Sequence, residues 1–459
     1  MTAQELEALF QGPEGDAVFT ALYGDKGRDA ARERYMGLAA QIRDPKAFPP
    51  GDFPECAGGI RVFSAPGRTE LGGNHTDHNR GKVLAASIQL DAAALAAPRQ
   101  DKRVFFRSSG HPDVSVDLSR LDPQSGEEGT SEALVRGIAA QFAARGLPVR
   151  GFTAVASSTV LTGSGLSSSA ALEALVGRVF DSLFGKGTLS AVEIAQIGQK
   201  AENVYFGKPC GLMDQVACAL GGVAAIDFED PKNPLVRKIA FDPNAAGYTL
   251  CVVNTRGSHA DLTPDYAAVP FEMRGVAAFF GKTELRDLDA DAVIGAAAAL
   301  RKAVGDRAVI RALHFFGENR RVEAMEQRLL EAAEVGRSAA DKRDAMAAFL
   351  ALVNESGDSS WELLQDVYSP RDPANQGLSL ALALTQDFLD REARGGACRV
   401  HGGGFAGTIQ AYIPAPALER YRALIDRVFG EGAVTELRIR PLGAVELFVC
   451  PLACSKTVR

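Results

Sequence analysis

The chain has 459 residues, 50 of them basic and 57 acidic, for a net charge of −7. Its length exceeds that at which one hydrophobic core keeps growing, so two domains are expected. The scattered, slightly acidic charge argues against nucleic acid, and the apolar runs break well short of the roughly 20 residues a membrane helix requires, so neither nucleic acid nor membrane is an expected partner.

The first residues, Met-Thr-Ala-Gln-Glu-Leu-Glu, lack an apolar h-region, which excludes a conventional secretory signal and predicts a cytoplasmic protein. Seven cysteines, at 56, 210, 218, 251, 398, 450 and 454, show no C-x-x-C spacing and read as reduced thiols. Residues 1–50 read as a helical N-terminal extension, detachable from the rest of the chain. Thr2 and Glu5 have capping-box spacing, 29–42 is rich in Ala, Arg and Glu, and Pro49-Pro50-Gly51 closes the segment.

From Gly59 the pattern becomes β-rich, with strands expected at 60–63, 83–97, 103–107 and 114–118. Between the first two lies Ala-Pro-Gly-Arg-Thr-Glu-Leu-Gly-Gly-Asn-His-Thr-Asp-His (65–78), in which Arg68, Glu70, Asn74, His75, Thr76, Asp77 and His78 crowd around three glycines. Glycines bring the backbone close to a ligand while short polar side chains face it, and such a cluster suits a small polyhydroxylated molecule.

Helical periodicity at 131–145, a strand at 152–160 and a helix at 167–183 come next, the last opened by Leu-Thr-Gly-Ser-Gly-Leu-Ser-Ser-Ser (161–169). That turn is built for an anion: small residues let backbone N–H groups and the helix N-terminus face a phosphate. It is neither a Walker A loop, lacking Gly-Lys-Ser/Thr, nor a complete dinucleotide fingerprint, since Ser168 stands where the third glycine belongs. A helix at 190–205 precedes Pro-Cys-Gly-Leu-Met-Asp-Gln (209–215), where Asp214 sits in an apolar setting and needs a cation or a reactive hydroxyl as partner.

Strands are expected at 223–228 and 248–254, and helices dominate from 264 to 354. A strand-turn-strand at 398–413 contains His-Gly-Gly-Gly-Phe-Ala-Gly (401–407), which formally satisfies G-x-G-x-x-G. The alternating Thr-Ile-Gln-Ala-Tyr-Ile after it predicts a strand where a dinucleotide fold needs a helix. A helix at 415–429 and a strand at 444–449 complete the pattern.

An anion loop, a polyol cluster, a lone Asp and Arg68 make a kinase-like set. Segments 65–78, 161–173 and 401–407 resemble the three motifs of the GHMP small-molecule kinases, and 65–78 with 209–215 resembles the galactokinase family in particular. Similarity extends to 199–202, 312–321 and 352–356, and so covers most of the chain from about 55 onward.

The resemblance implies an α+β, two-domain GHMP kinase fold with ATP and sugar sites in the cleft between domains, 51–235 forming the first domain and 236–459 the second. It implies ATP-dependent phosphorylation of a sugar at its anomeric hydroxyl, with ATP and Mg²⁺ as cofactors and a small-molecule sugar as partner. Asp214 and Arg68 would be the catalytic pair. Gly163, Ser164, Gly165, Leu166, Ser167, Ser168 and Ser169 would hold the ATP phosphates, while Ser169 (or Ser168) and Glu202 would hold Mg²⁺, an oxygen set suited to a hard cation. Asn74, His75, Asp77, Gly211 and Tyr266 would form the sugar pocket. The oligomeric state stays open, a monomer sufficing.

Galactokinases usually show Gly-Glu-His-Thr-Asp-Tyr where this chain has Gly-Asn-His-Thr-Asp-His (73–78), and Asn where it has Glu70. Asn74 both donates and accepts, so galactose, galacturonate and L-arabinose all remain candidate sugars, as does a non-catalytic role in sensing sugar and ATP. A metal hydrolase built on His75, Asp77 and His78 lacks ligands, because Gly73 occupies the position where a further His is needed.

Overall fold

The computed structural model describes residues 1–44, 59–161, 165–258 and 262–449. Pro49-Pro50-Gly51, Gly163, Ser164, Cys56, Cys450 and Cys454 lie outside the described residues.

Helix α1 (Ala3–Gln11) opens on the expected capping box: the Thr2 hydroxyl accepts from the Glu5 amide at 3.2 Å and the Glu5 carboxylate accepts from the Thr2 amide at 2.8 Å. Helix α2 (Pro13–Arg43) follows, kinked at Gly24, where φ is 72°. Both helices are amphipathic in three dimensions, and their Leu6, Phe10, Phe19, Leu22, Tyr35 and Leu38 pack on Val62, Ala93, Leu95, Val155 and Leu447. The expectation of a detachable segment is therefore corrected. These helices bury one face of the main sheet, and removing them would expose a large apolar surface.

Eight strands form that sheet among the described residues: β1 (Arg61–Gly72), β2 (Lys82–Pro98), β3 (Arg103–Ser108), β4 (Val114–Asp117), β5 (Phe152–Ser158), β6 (Val223–Asp227), β7 (Leu235–Ile239) and β12 (Val445–Leu447). Its order is β12-β1-β2-β5-β3-β4, with β6 and then β7 added along the first half of β2. Only β3 and β5 run parallel among these pairs. The long β2 follows from its nearly unbroken apolar sequence, since it is covered on both faces. Its second face carries α3 (Ser131–Ala144), α4 (Ser168–Phe184), α5 (Ala191–Ala201) and α6 (Met213–Leu220), which share a core with Leu84, Ala86, Ala94 and Phe152.

The second sheet, in the order β11-β8-β10-β9, uses β8 (Tyr248–Asn254), β9 (Ala397–Val400), β10 (Thr408–Pro414) and β11 (Val434–Leu437), all antiparallel. It packs on α12 (Gly377–Phe388) and α13 (Leu418–Phe429). Helices α7 (Thr263–Phe279), α8 (Ala290–Gly295), α9 (Ala297–Ala303), α10 (Asp306–Ala333) and α11 (Ala339–Ser359) make the remaining layer, α10 reaching back to touch β1, β2 and β7. The strand expected after the 401–407 turn is β10, so no helix follows that glycine loop.

Two strands were not legible as such: β7, whose Leu-Val-Arg-Lys-Ile is mostly exposed at an edge, and β11. Strand β1 is also far longer than the expected 60–63. It runs on to Gly72 through Arg68, Thr69 and Glu70, polar residues that are nevertheless buried.

One buried charge network ties these parts together. The fully buried Asp91 of β2 accepts from Tyr23 Oη at 2.7 Å, from Arg34, from Ser64 Oγ and from Arg440 Nη1 at 3.3 Å. It thus joins α2, β1, β2 and the segment between β11 and β12.

Candidate active site

Strand β1 does not run straight through its motif. Its register against β2 shifts between Pro66 and Arg68 and again between Glu70 and Gly72, and such bulges re-aim side chains. Between them, the Arg68 amide donates to the Leu166 carbonyl at 3.1 Å, which docks the 165–167 turn on the strand. The Arg68 guanidinium then points across that turn. Its Nε and Nη2 meet the two oxygens of Asp214 at 2.8 and 2.7 Å, and its Nη1 donates to the Gly165 carbonyl. A bidentate arginine–carboxylate pair is among the strong, geometrically fixed polar contacts.

Asp214 is the second residue of α6, a helix that begins without a side-chain cap. Its carboxylate also accepts from the Ser167 hydroxyl. Burial pushes the Asp214 carboxyl up, but the charge and hydrogen bonds of Arg68, with Ser167, outweigh this and hold it below its ordinary value. About a third of the side chain (31%) remains exposed, so an ionised carboxylate is presented to a ligand.

Ser167, at φ 60°, ends the turn, and Ser168 begins α4 with its first N–H groups unused by the helix. Leu166 is fully buried beneath the turn, while Gly165 packs on the ring of His401. That ring bridges Thr69 Oγ1 and Thr408 Oγ1, each at 3.0 Å, so the third glycine motif buttresses the first two. Gly163 and Ser164, expected in the same loop, are outside the described residues.

At the second residue of α4, Ser169 Oγ donates to Glu202 Oε1 at 3.3 Å. Glu202 starts the π-helical turn Glu202–Phe206 that ends α5, and it also receives Lys208 Nζ at 3.3 Å and Gln215 Nε2 at 2.9 Å. Gln215 reaches Glu173 at 3.0 Å as well. Burial and the nearby Glu202 charge raise the Glu173 carboxyl, which keeps one proton in this carboxylate pair near neutral pH. Among the described residues no group of three or more His, Cys, Asp or Glu side chains is disposed as metal ligands.

The residues expected at the sugar lie on the turn after β1, with Gly211 and Tyr266 beside it. His75 adopts φ 57° and pairs its Nε2 with the Gly403 carbonyl at 3.0 Å. Burial, and then the neighbouring His78, lower its basicity, so the ring is neutral at physiological pH. Asp77 accepts from the His78 amide at 2.9 Å and lies directly over the Cα of Gly211, where any side chain would collide with it. Tyr266, on α7, donates to the Gly404 carbonyl at 3.0 Å and meets Phe405 edge-on.

Asn74 and Glu70 are placed differently. Glu70 is buried against Arg399 at 2.8 Å, and Asn74, only 1% exposed, turns its amide inward to Asp366 and Ser360. Behind them stands a buttress the motifs did not announce. Glu318 accepts from the Gly73 amide at 2.9 Å and from Ser356 Oγ at 2.6 Å, and His314 bridges the Asn74 carbonyl and Ser359. The similar stretches 312–321 and 352–356 carry Glu318, His314 and Ser356, which was the available signal; Asp366 had none.

Residues 133–222 match the GHMP kinases N terminal domain, and residues 53–98 match the galactokinase galactose-binding signature. A galactokinase of Glaesserella parasuis is 33% identical over 365 residues, 79% of this chain and 87% of that protein. One of Streptomyces coelicolor is 34% identical over 267 residues, 57% of this chain and 67% of that protein. Among solved structures, Lactococcus lactis galactokinase complexed with galactose superposes with a TM-score of 0.71 at 25% identity, covering 89% of this chain and 99% of its own. Methanococcus jannaschii mevalonate kinase shares the fold, with a TM-score of 0.55 at 14% identity over 84% of this chain and 99% of its own.

Proposed function

The chain belongs to the galactokinase family of the GHMP kinases, and from that premise we propose that it transfers the γ-phosphoryl group of ATP to the C1 hydroxyl of D-galactose. The observation that carries this reading is the Arg68–Asp214–Ser167 junction, where one cation, one ionised carboxylate and the phosphate-type turn meet.

Phosphoryl transfer needs positioning and charge neutralisation more than covalent help. In this site Asp214 accepts the hydrogen bond of the C1 hydroxyl and takes its proton as the new O–P bond forms. A carboxyl held low by arginine is a weak base, so its main work is to orient the hydroxyl. Arg68 keeps Asp214 ionised and offers positive charge beside the transferring group. Gly165, Leu166, Ser167, Ser168 and Ser169 present N–H groups and hydroxyls to the ATP phosphates at the start of α4, and Gly163 and Ser164 are assigned the same role.

Ser169 and Glu202 are an oxygen-only pair already in contact, a donor set that fits Mg²⁺. A magnesium ion held there by Ser169 and Glu202 would supply positive charge to offset that of the nucleotide phosphates. Glu202→Gln should then raise the Mg²⁺ concentration for half-maximal rate by at least about tenfold, as loss of groups that support a metal does. A magnesium titration identical to wild type removes Glu202 from this role.

His75, Asp77, Gly211 and Tyr266 form the sugar pocket. Because both N–H bonds of Asn74 are consumed internally, this end of the pocket gains no donor for a sugar carboxylate, and D-galactose is favoured over D-galacturonate. We assign the phosphate turn to a first domain, 51–235, preceded by the N-terminal segment 1–50, and the supporting glycine loop to a second, 236–459. All named residues come from one chain, so a monomer suffices. No helix among the described residues is long and apolar enough to cross a membrane. The need for ATP and the free thiols of Cys210, Cys218, Cys251 and Cys398 favour the cytoplasm.

The test is ADP release on addition of D-galactose, D-galacturonate, L-arabinose or N-acetylgalactosamine. Turnover with galactose is expected to exceed that with galacturonate. No release with any of these sugars would overturn the kinase reading in favour of a sensor, and galacturonate as the best substrate would overturn the specificity.

A further inference from the structure

Asn74 is the one predicted sugar-site residue that faces into the protein. Its Nδ2 donates to Asp366 Oδ2 at 2.7 Å and to Ser360 Oγ at 3.3 Å, so both amide hydrogens are used. Asp366 is completely buried. It follows the π-helical turn Ser360–Leu364 and residue 365, which takes φ 59° and turns the chain back toward the glycine loop.

Asp366 grips that loop in two ways. Its main-chain carbonyl accepts from the Phe405 amide, and its Oδ2 lies 2.6 Å from where a Cβ on Gly404 would sit, so only glycine permits the approach. The next carbonyls of the same loop hold the sugar-side residues, Gly403 meeting His75 and Gly404 meeting Tyr266. The sugar turn is therefore fastened to the glycine loop twice, directly through His75 and indirectly through Asn74 and Asp366.

The chemistry of this pair is one-sided. An ionised carboxylate only accepts, so the Asn74 amide supplies the donor and favours that form of Asp366. An acidic residue at 74, as in the Gly-Glu-His-Thr-Asp-Tyr pattern, would set two buried carboxylates at hydrogen-bonding distance, and like charges so close cannot both stay ionised. Burial raises the Asp366 carboxyl to about 7 and the Asn74 hydrogen bond opposes that rise, so an amide at 74 suits the acid at 366 better than a second acid, which would have to share a proton with it.

We propose that Asn74 and Asp366 are a matched amide–carboxylate pair, and that Asp366 is a positioning residue that sets the sugar turn against the glycine loop without itself touching the reacting atoms. The inference rests on the sugar-kinase reading and adds to it a residue 292 positions away from the sugar motif.

Steady-state kinetics on the full chain test it, with galactose and ATP varied in turn for wild type, Asp366→Ala, Asn74→Glu and the exchanged double variant Asn74→Glu/Asp366→Asn. Leaving a buried donor without its acceptor predicts that Asp366→Ala raises the galactose KM about tenfold while kcat and the ATP KM stay near wild type. Asn74→Glu should be worse than Asp366→Ala, and the exchange should return the galactose KM to within about threefold of wild type, as coupled neighbours do. An unchanged galactose KM in Asp366→Ala, or an exchange no better than Asn74→Glu alone, overturns the proposal. If thermal melts show that Asp366→Ala does not fold, Asn74→Ala removes the same hydrogen bond from the other side and must raise the galactose KM with kcat retained; failure to do so also overturns it. A wild-type chain that releases no ADP would instead defeat the kinase reading, a result separable from any of these.

Discussion

Asp214→Asn is expected to lower kcat for galactose phosphorylation by on the order of 10²–10⁴-fold, the span that a positioned acid–base group contributes. Galactose binding, followed by calorimetry, should remain close to wild type, because His75, Asp77 and Tyr266 are fixed by contacts that do not pass through Asp214. The substitution keeps the shape of the side chain but removes the charge that Arg68 pairs with and half of the acceptor capacity used by Arg68 and Ser167. A near-wild-type rate would take Asp214 out of the mechanism.

The pH dependence supplies a second check on the same residue. Its carboxyl is held below the ordinary 3.8, so the ionised form persists throughout the neutral range. The contribution of Asp214 is lost only as pH falls through that lowered value, and the rate profile should show no limb from this group between about pH 5 and 8. An acid limb in that window that disappears in Asp214→Asn would show that Arg68 does not hold the carboxyl low.

Asp91→Ala should be the most destabilising single change outside the active site. It removes the one carboxylate that Arg34 and Arg440 share, and Arg440 is fully buried. Breaking a buried pair by deleting one partner typically costs about 3–5 kcal/mol, because a charge is left uncompensated in a poor solvent. Denaturant midpoints should drop accordingly. Limited proteolysis should also cut within 1–44 earlier than in wild type, since Tyr23 and Arg34 anchor α2 through the same carboxylate. Wild-type protection of that segment would show that apolar packing alone holds the helices on the sheet.

Much of the fold was legible because its signals are local. The Thr2–Glu5 capping box, the continuous apolar run that became β2 and the helix after the serine-rich turn all depend on neighbours in sequence. Strand β1 beyond residue 63 was hidden because Arg68, Thr69 and Glu70 look like surface residues; their burial is made tolerable by Asp214, His401 and Arg399, all distant in the chain. The start of α6 was obscured by the glycine before it and the lack of a capping side chain. Segment 1–50 looked separable because its partners, Ala93, Val155 and Leu447, cannot be seen from its own periodicity.

The site divides along the same line. Motif resemblance carried Arg68, Asp214, Ser169 and Glu202 to one place, and the structure brings these residues into two contacting pairs. Asn74 was expected in the pocket, and its amide hydrogens turn instead to Asp366 and Ser360; Asp366 belongs to no motif and lies on another layer.

The pairing of β12 with β1 joins Val62 to Leu447 and Ser64 to Val445, across most of the polypeptide. A ribosome would have released the strand that bears Arg68 long before its outer neighbour was synthesised. Until then residues 62–64 of that strand present an open hydrogen-bonding edge, a template for unwanted association. Closing so distant a contact also makes folding slow, because loop closure precedes the reward. The start of the strand that bears Arg68 is therefore among the last parts of this sheet to be paired, after residues 445–447 have been made.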